Sequence, residues 1–227
     1  MLKLPVIVLN FKTYEEALGK RALKLARIAD EIARKHKISI VVAPQYLDIP
    51  VIVKSVKIPV FAQHVDDVTP GAHTGHVLPE SVKNAGAMGT LLNHSERKVK
   101  IEQLKKSIER CKEIGLLTVV CVPSVGKAKV VAGFTPNFIA FEPPELIGSG
   151  KSVSRMKPKA VEKFAKIVRK ISKTTIPLCG AGITTAEDVR IALELGVNGV
   201  LIASAFVKSS NPRKFLRDIA NEIKHEV

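Results

Sequence analysis

Aromatic side chains are scarce in this 227-residue chain: 4% of residues, with no tryptophan, two tyrosines and eight phenylalanines. A surface that binds nucleic acid by stacking bases needs such rings, so that platform is poorly supplied. Cysteine is nearly absent as well. Cys111, Cys121 and Cys179 show no CxxC spacing and cannot all pair, which argues against a disulfide scaffold and for a reducing, cytoplasmic setting. Long apolar runs are missing too. The longest uncharged stretches, 174–186 among them, reach 13 residues, short of the ~18 that a spanning helix requires. The opening Met1-Leu2-Lys3-Leu4-Pro5 carries no charged-then-apolar targeting pattern. Acids are outnumbered, 21 to 36, for a net charge of +15. The basic residues fall mostly on the outer faces of expected helices, interleaved with acids. Few glutamines with many lysines and glutamates is a thermophilic composition. The surplus therefore reads as a solvated surface rather than a nucleic-acid groove.

What is present is globular. Hydrophobic residues make up 46% and charged residues 25%, and the length suits one domain spanning 1–227. Val6-Ile7-Val8-Leu9 has no polar alternation, as expected of a strand buried on both faces. Leu18, Ala22, Leu25, Ala29 and Ile32 then mark one helical stripe. The same grammar continues. Strands are expected at 38–43, 59–63, 89–93, 117–122, 138–141, 176–179 and 199–202, and helices before Val56 and over 78–85. Ile101, Leu104, Ile108, Cys111 and Ile114 form a further stripe closed by Gly115. The stretch from 123 to Pro136 is poorly patterned. Further helices are expected at Val161–Ile171 with Pro158 in the first turn, at 185–195 behind Thr184-Thr185, and at 212–223. Eight strand–helix alternations predict an α/β chain with a parallel sheet, and eight strands close naturally into a (β/α)8 barrel. An open doubly wound sheet is the alternative.

In a barrel of this kind, the loops that follow the strands build the site. Those positions hold Asn10-Phe11-Lys12, His94-Ser95-Glu96-Arg97, Glu142-Pro143-Pro144, and the small-residue turns Gly180-Ala181-Gly182 and Ala203-Ser204. Each alone has an ordinary explanation: an exposed lysine, a Ser95 cap on a helix that begins there, a stiff proline loop, a turn. Five on one rim supply a cation, an imidazole, a carboxylate and two backbone-donor turns, which suits an anionic substrate.

These segments carry a resemblance. Asn10-Phe11-Lys12, Asn93-His94-Ser95-Glu96-Arg97 and Glu142-Pro143-Pro144-Glu145-Leu146-Ile147-Gly148-Ser149-Gly150 resemble the triosephosphate isomerase family in its shortened archaeal form, in strand order along essentially the whole chain. The resemblance implies interconversion of dihydroxyacetone phosphate and glyceraldehyde 3-phosphate, in glycolysis and gluconeogenesis, with no metal and no cofactor. It makes Glu142 the base, His94 the electrophile, Lys12 the fixed positive charge and Asn10 a further polar contact. Glu96 would pair with Lys12 or serve as a capping acid. Phosphate would sit against Asn10, Phe11 and Lys12 and against backbone N–H groups at Ile147, Gly148, Gly182, Ala203 and Ser204. Residues 143–150 would be the lid that excludes water. A helix starting at Ser95 would keep His94 neutral through its positive end. The loop Gly71-Ala72-His73-Thr74-Gly75-His76 resembles the one that reaches into a neighbouring subunit, implying a homo-oligomer, dimer or tetramer, with Thr74 at the interface.

The chain departs from the family pattern in three places. Cys179-Gly180-Ala181-Gly182 replaces Tyr-Gly-Gly-Ser, so a tyrosine latch is missing; Ala203-Ser204 replaces two glycines; Ser149 replaces threonine. Two other motifs are set aside. Gly148-Ser149-Gly150-Lys151-Ser152 ends like a phosphate-binding loop, but Glu145 stands where its first glycine belongs, and no helix is expected directly after Ser152. His64, His73 and His76 lack the paired cysteines or helical carboxylate spacing of a zinc site. Another phosphate-binding barrel enzyme, or a non-catalytic basic barrel that binds RNA, stays open as an alternative. The first leaves His94-Ser95-Glu96 and the Glu142 segment without a purpose.

Overall fold

A computed structural model describes residues 2–148 and 150–225. Its strands are β1 (Val6–Asn10), β2 (Ser39–Ala43), β3 (Phe61–Ala62), β4 (Gly89–Leu92), β5 (Leu117–Val122), β6 (Phe138–Phe141), β7 (Ile176–Cys179) and β8 (Gly199–Ile202). All pair in parallel, in the order β2-β1-β8-β7-β6-β5-β4-β3. A parallel bridge between Val42 and Val60 joins the two ends, supported by the Val42 N–H donating to the Pro59 carbonyl at 3.1 Å. The sheet is therefore a closed (β/α)8 barrel, not an open one.

The alternation of side chains along each strand makes two cores. Val6, Val8, Val41, Ala43, Phe61, Leu91, Val119, Cys121, Phe138, Ala140, Leu178 and Leu201 fill the inside of the barrel. Ile7, Leu9, Ile40, Val42, Val120, Ile139 and Val200 face outward and pack under the helices. Both faces are buried, which is why the strands read as unbroken apolar runs.

The helices are α1 (Lys20–His36), α2 (Ile49–Val53), α3 (Pro79–Asn84), α4 (Ile101–Ile114), α5 (Val125–Ala132), α6 (Val153–Met156), α7 (Pro158–Ile171), α8 (Ala186–Glu194), α9 (Ser204–Val207) and α10 (Pro212–His225). Gly115 ends α4 in the left-handed region at φ 75°, as the sequence predicts. Thr185 opens α8 with a reciprocal capping box to Asp188.

Four local expectations are corrected. Leu18 is 41% exposed and lies before α1, because Gly19 at φ 56° breaks the chain direction between them. The poorly patterned stretch holds α5, capped by Ser124; its core-facing stripe of Val125, Ala128, Val131 and Ala132 is short and small, and the exposed Val130 blurs it. The one-turn helix α6 does begin directly after Ser152, whose hydroxyl caps it. No helix begins at Ser95: residues 95–97 form one turn, closed by the Arg97 N–H on the His94 carbonyl, and α4 starts only at Ile101.

Candidate functional site

Strand parity aims the key residues. Val6 and Val8 point into the barrel, so Asn10, two positions on, points inward at the rim of β1. Phe138 and Ala140 do the same in β6, and Glu142 is the next inward position just past its end. Both polar side chains are therefore buried where the apolar plug stops, at 4% exposure each. His94 follows Asn93, whose left-handed backbone (φ 56°) turns the chain over the rim. Asn93 is held in that conformation by its side chain, which donates to the Cys121 carbonyl at 2.9 Å and accepts from the Val99 N–H at 3.2 Å.

Lys12 is also left-handed, at φ 48°, a conformation that costs a non-glycine residue on the order of 1 kcal/mol. Three bonds hold it there. Its N–H donates to Asn10 Oδ1 at 3.0 Å, and its carbonyl accepts from Gln45 Nε2 at 3.1 Å and Gln63 Nε2 at 2.8 Å. The strain puts the Lys12 ammonium 2.7 Å from Glu96 Oε1, over the mouth of the barrel. Asn10 thus orients Lys12 as well as lining the site. The two glutamines carry no sequence signal, since a side-chain amide reaching across strand ends has no fixed spacing.

The electrostatics separate the roles of the imidazole and the carboxyl. The Glu96 N–H donates to His94 Nδ1 at 3.2 Å, so Nδ1 is the acceptor and the proton of the neutral ring sits on Nε2. Burial, aided by Lys12 and opposed by Glu96, lowers the His94 pKa. Burial therefore keeps His94 neutral, in place of the expected helix end. Nε2 faces Glu142 Oε1 at 3.8 Å. Burial pushes the Glu142 carboxyl up to about 7, against the pull of the Cys121 thiol and of Lys12. Among the described residues, Glu142 Oε2 has no hydrogen-bond partner. A buried carboxylate with a free oxygen, titrating near neutrality, has the properties of a general base.

One cavity gathers this set. Asn10, Lys12, Tyr14, His94 and Glu142 line it. So do Ile147, Gly148, Gly182, Ala203 and Ser204. Gly180 must lack a side chain, because a Cβ there would lie 2.6 Å from Glu142 Cγ. Gly182 sits at φ +67° with the Lys151 carbonyl against it, where a Cβ would come within 1.9 Å. Glu96 reaches the set through Lys12. Phe11 does not: its ring is fully buried against Phe206 at 6.2 Å and its N–H donates to the Ala43 carbonyl, because odd positions of β1 face the helices. Thr74 lies in an exposed loop and does not line the cavity. Ser149 lies outside the described residues. Tyr14 and Thr184, which the motifs did not single out, do line it.

The histidines set aside for metal are dispersed. His64 is buried against Asp66 at 3.0 Å, while His73 and His76 pack edge to face in the exposed loop. Among the described residues, no group of three or more His, Cys, Asp or Glu side chains is placed to hold a metal. No described helix is long and apolar enough to cross a membrane.

Comparison with known proteins follows the same line. The family model described as triosephosphate isomerase matches residues 5–223. A triosephosphate isomerase of Methanocaldococcus jannaschii is 46% identical over 214 residues, covering 94% of this chain and 98% of the relative. That of Methanobacterium bryantii is 46% identical over 219 residues, covering 96% and 97%. That of Archaeoglobus fulgidus is 45% identical over 219 residues, covering 96% and 98%. With a matching model over nearly all its length and full-length archaeal relatives, the chain belongs to the triosephosphate isomerase family.

Proposed function

We propose that this enzyme interconverts dihydroxyacetone phosphate and glyceraldehyde 3-phosphate through an enediolate, with the residues at the barrel mouth dividing the work. Glu142 takes the proton from the carbon beside the carbonyl and returns it to the neighbouring carbon. His94, neutral with its proton on Nε2, donates to the oxygen on which charge develops and moves protons between the two oxygens. Lys12 supplies a fixed positive charge for the enediolate and the phosphate; Glu96 holds that ammonium over the site. Backbone N–H groups at Gly182, Ala203 and Ser204 receive the phosphate, and Ile147 and Gly148 cover it from the lid. The single observation that carries this division is the pairing of a buried carboxyl and a neutral imidazole across 3.8 Å beside Lys12. A coupled assay with glyceraldehyde 3-phosphate as sole substrate tests it; absence of turnover would overturn it.

The raised carboxyl gives a second test. In the ligand-free protein, 13C-labelled at glutamate, one carboxyl titrates at about 7 and vanishes in Glu142→Gln. Because the folded pKa lies above the usual 4.5, Glu142 favours folding below pH 4.5 and that contribution is lost as pH rises through about 7. Glu142→Gln is therefore more stable than the parent above pH 7, by on the order of a few kcal/mol, and equal to it below pH 4.5. Equal stability at pH 8 would contradict the burial argument.

The enzyme acts as a homo-oligomer in the cytoplasm, independent of nucleic acid and membranes. Supporting this, Thr74 stands in an exposed loop, and a hollow of about 420 Å³ beside Lys12, lined by Tyr46, Gln63 and Arg97 among others, is open to receive such a loop. The three cysteines are free and buried. Sedimentation equilibrium that shows only monomer would remove the oligomer from this reading.

A further inference from the structure

The cavity is walled by two segments distant in sequence, and one carboxylate fastens them together. Residues 182–185 form the turn after β7 that carries Gly182. Asp188, on the first turn of α8 and 2% exposed, accepts three bonds on Oδ2 from that turn. The donors are Thr184 N–H at 3.0 Å, Thr184 Oγ1 at 3.1 Å and Thr185 N–H at 2.9 Å. Its other oxygen, Oδ1, accepts from Arg155 Nε at 2.6 Å. Arg155 lies in α6, directly behind the lid, and its Nη2 also donates to Glu187 at 2.6 Å.

The junction extends beyond that pair. Ser154 Oγ donates to the Asp188 carbonyl at 3.1 Å and shares a hydrogen bond with Ser152 Oγ at 2.6 Å. The Val153 N–H donates to the Ala181 carbonyl at 3.1 Å. Burial works to raise the Asp188 carboxyl, yet the bonds from Arg155, Thr184 and Thr185 hold it below the usual range. A helix-capping acid needs only the Thr185 exchange; the bonds to α6, 33 residues away, do something else.

We infer that Asp188 is a positioning residue: through Arg155 it fixes the trailing end of the lid in register with the phosphate-facing turn at Gly182. The inference rests on the isomerase reading above. A phosphate dianion held by N–H groups from both walls is bound well only when their spacing matches its oxygens, and a slip of about 1 Å costs on the order of 100-fold. Bonds on both oxygens of one carboxylate, with a short charge-assisted one to Arg155 at 2.6 Å, resist that slip.

The test uses Arg155→Met, which removes the arm to α6 and leaves the Thr184–Thr185 cap in place, with Arg155→Lys as the conservative partner. Each is assayed with glyceraldehyde 3-phosphate and with unphosphorylated glyceraldehyde. Arg155→Met should lose about tenfold in kcat/KM with the phosphorylated substrate, chiefly in KM, and less than about twofold with glyceraldehyde. Arg155→Lys should recover part of the loss, and Asp188→Asn should show the same substrate dependence as Arg155→Met. Equal losses with both substrates, or none with the phosphorylated one, would overturn the inference. Lack of turnover by the parent enzyme would instead overturn the functional reading itself.

Discussion

Glu142→Asp is expected to lower kcat by about 10²–10³-fold with the fold intact. The substitution keeps the charge and draws the carboxyl back by one methylene. The site around it is fitted to the longer side chain: Gly180, where a Cβ would lie 2.6 Å from Glu142 Cγ, makes room for that methylene, and the Cys121 thiol lies beside the carboxyl. A shortened carboxyl has no route to the same point, because residue 142 directly follows β6, which is locked between β5 and β7, and its own N–H donates to the Val122 carbonyl at 2.9 Å. The loss should fall on kcat more than on KM, since the proposed role of Glu142 is on the reacting carbon and not on the phosphate. Steady-state kinetics beside a thermal melt check this. A wild-type rate would remove Glu142 from the chemistry.

Lys12→Ala should raise the Kd of a phosphorylated enediolate mimic by at least about 30-fold, since removing one member of a buried charge contact costs roughly 2–5 kcal/mol. It has a second, separable consequence. Lys12 lowers the Glu142 pKa while Glu96 raises it. Removing the cation leaves the acid unopposed, so the Glu142 titration moves upward from about 7 in the ligand-free variant. The two readouts are independent. Unchanged affinity would exclude Lys12 from substrate binding, and an unmoved titration would exclude it from the field around the base.

The barrel was legible because its strands are buried on both faces, and the apolar runs announce them whatever their neighbours do. Helices with one clean stripe, such as α1, α4 and α7, were equally plain. α5 is hidden because its core-facing residues, Val125, Ala128, Val131 and Ala132, are mostly small and stand beside Gly126 and the exposed Val130, and the turn at Ser95 looks like a helix start because a capping signal does not state how many turns follow it. The strand ends make Glu142, His94 and Lys12 legible as candidates, and the structure brings the three to one cavity. Phe11 was carried along with its motif, although its parity along β1 turns it outward. Gln45, Gln63 and Arg155 are not legible: each acts through a contact that exists only after distant loops meet, so no local pattern distinguishes them from surface polar residues. Asp188 is legible as an acid in the first turn of α8, but not as the partner of Arg155.

The cylinder has a thin joint between its second and third staves, where one bridge at Val42 and Val60 completes the circle. Gln45 and Gln63 stand just above that joint, one on each side, and both reach the same Lys12 carbonyl. That oxygen works as a hoop. Breathing of the joint and loosening of the cation above it are expected to be coupled through that oxygen, so an anion seated at the mouth should slow hydrogen exchange at the Val42 amide, a seam it never touches.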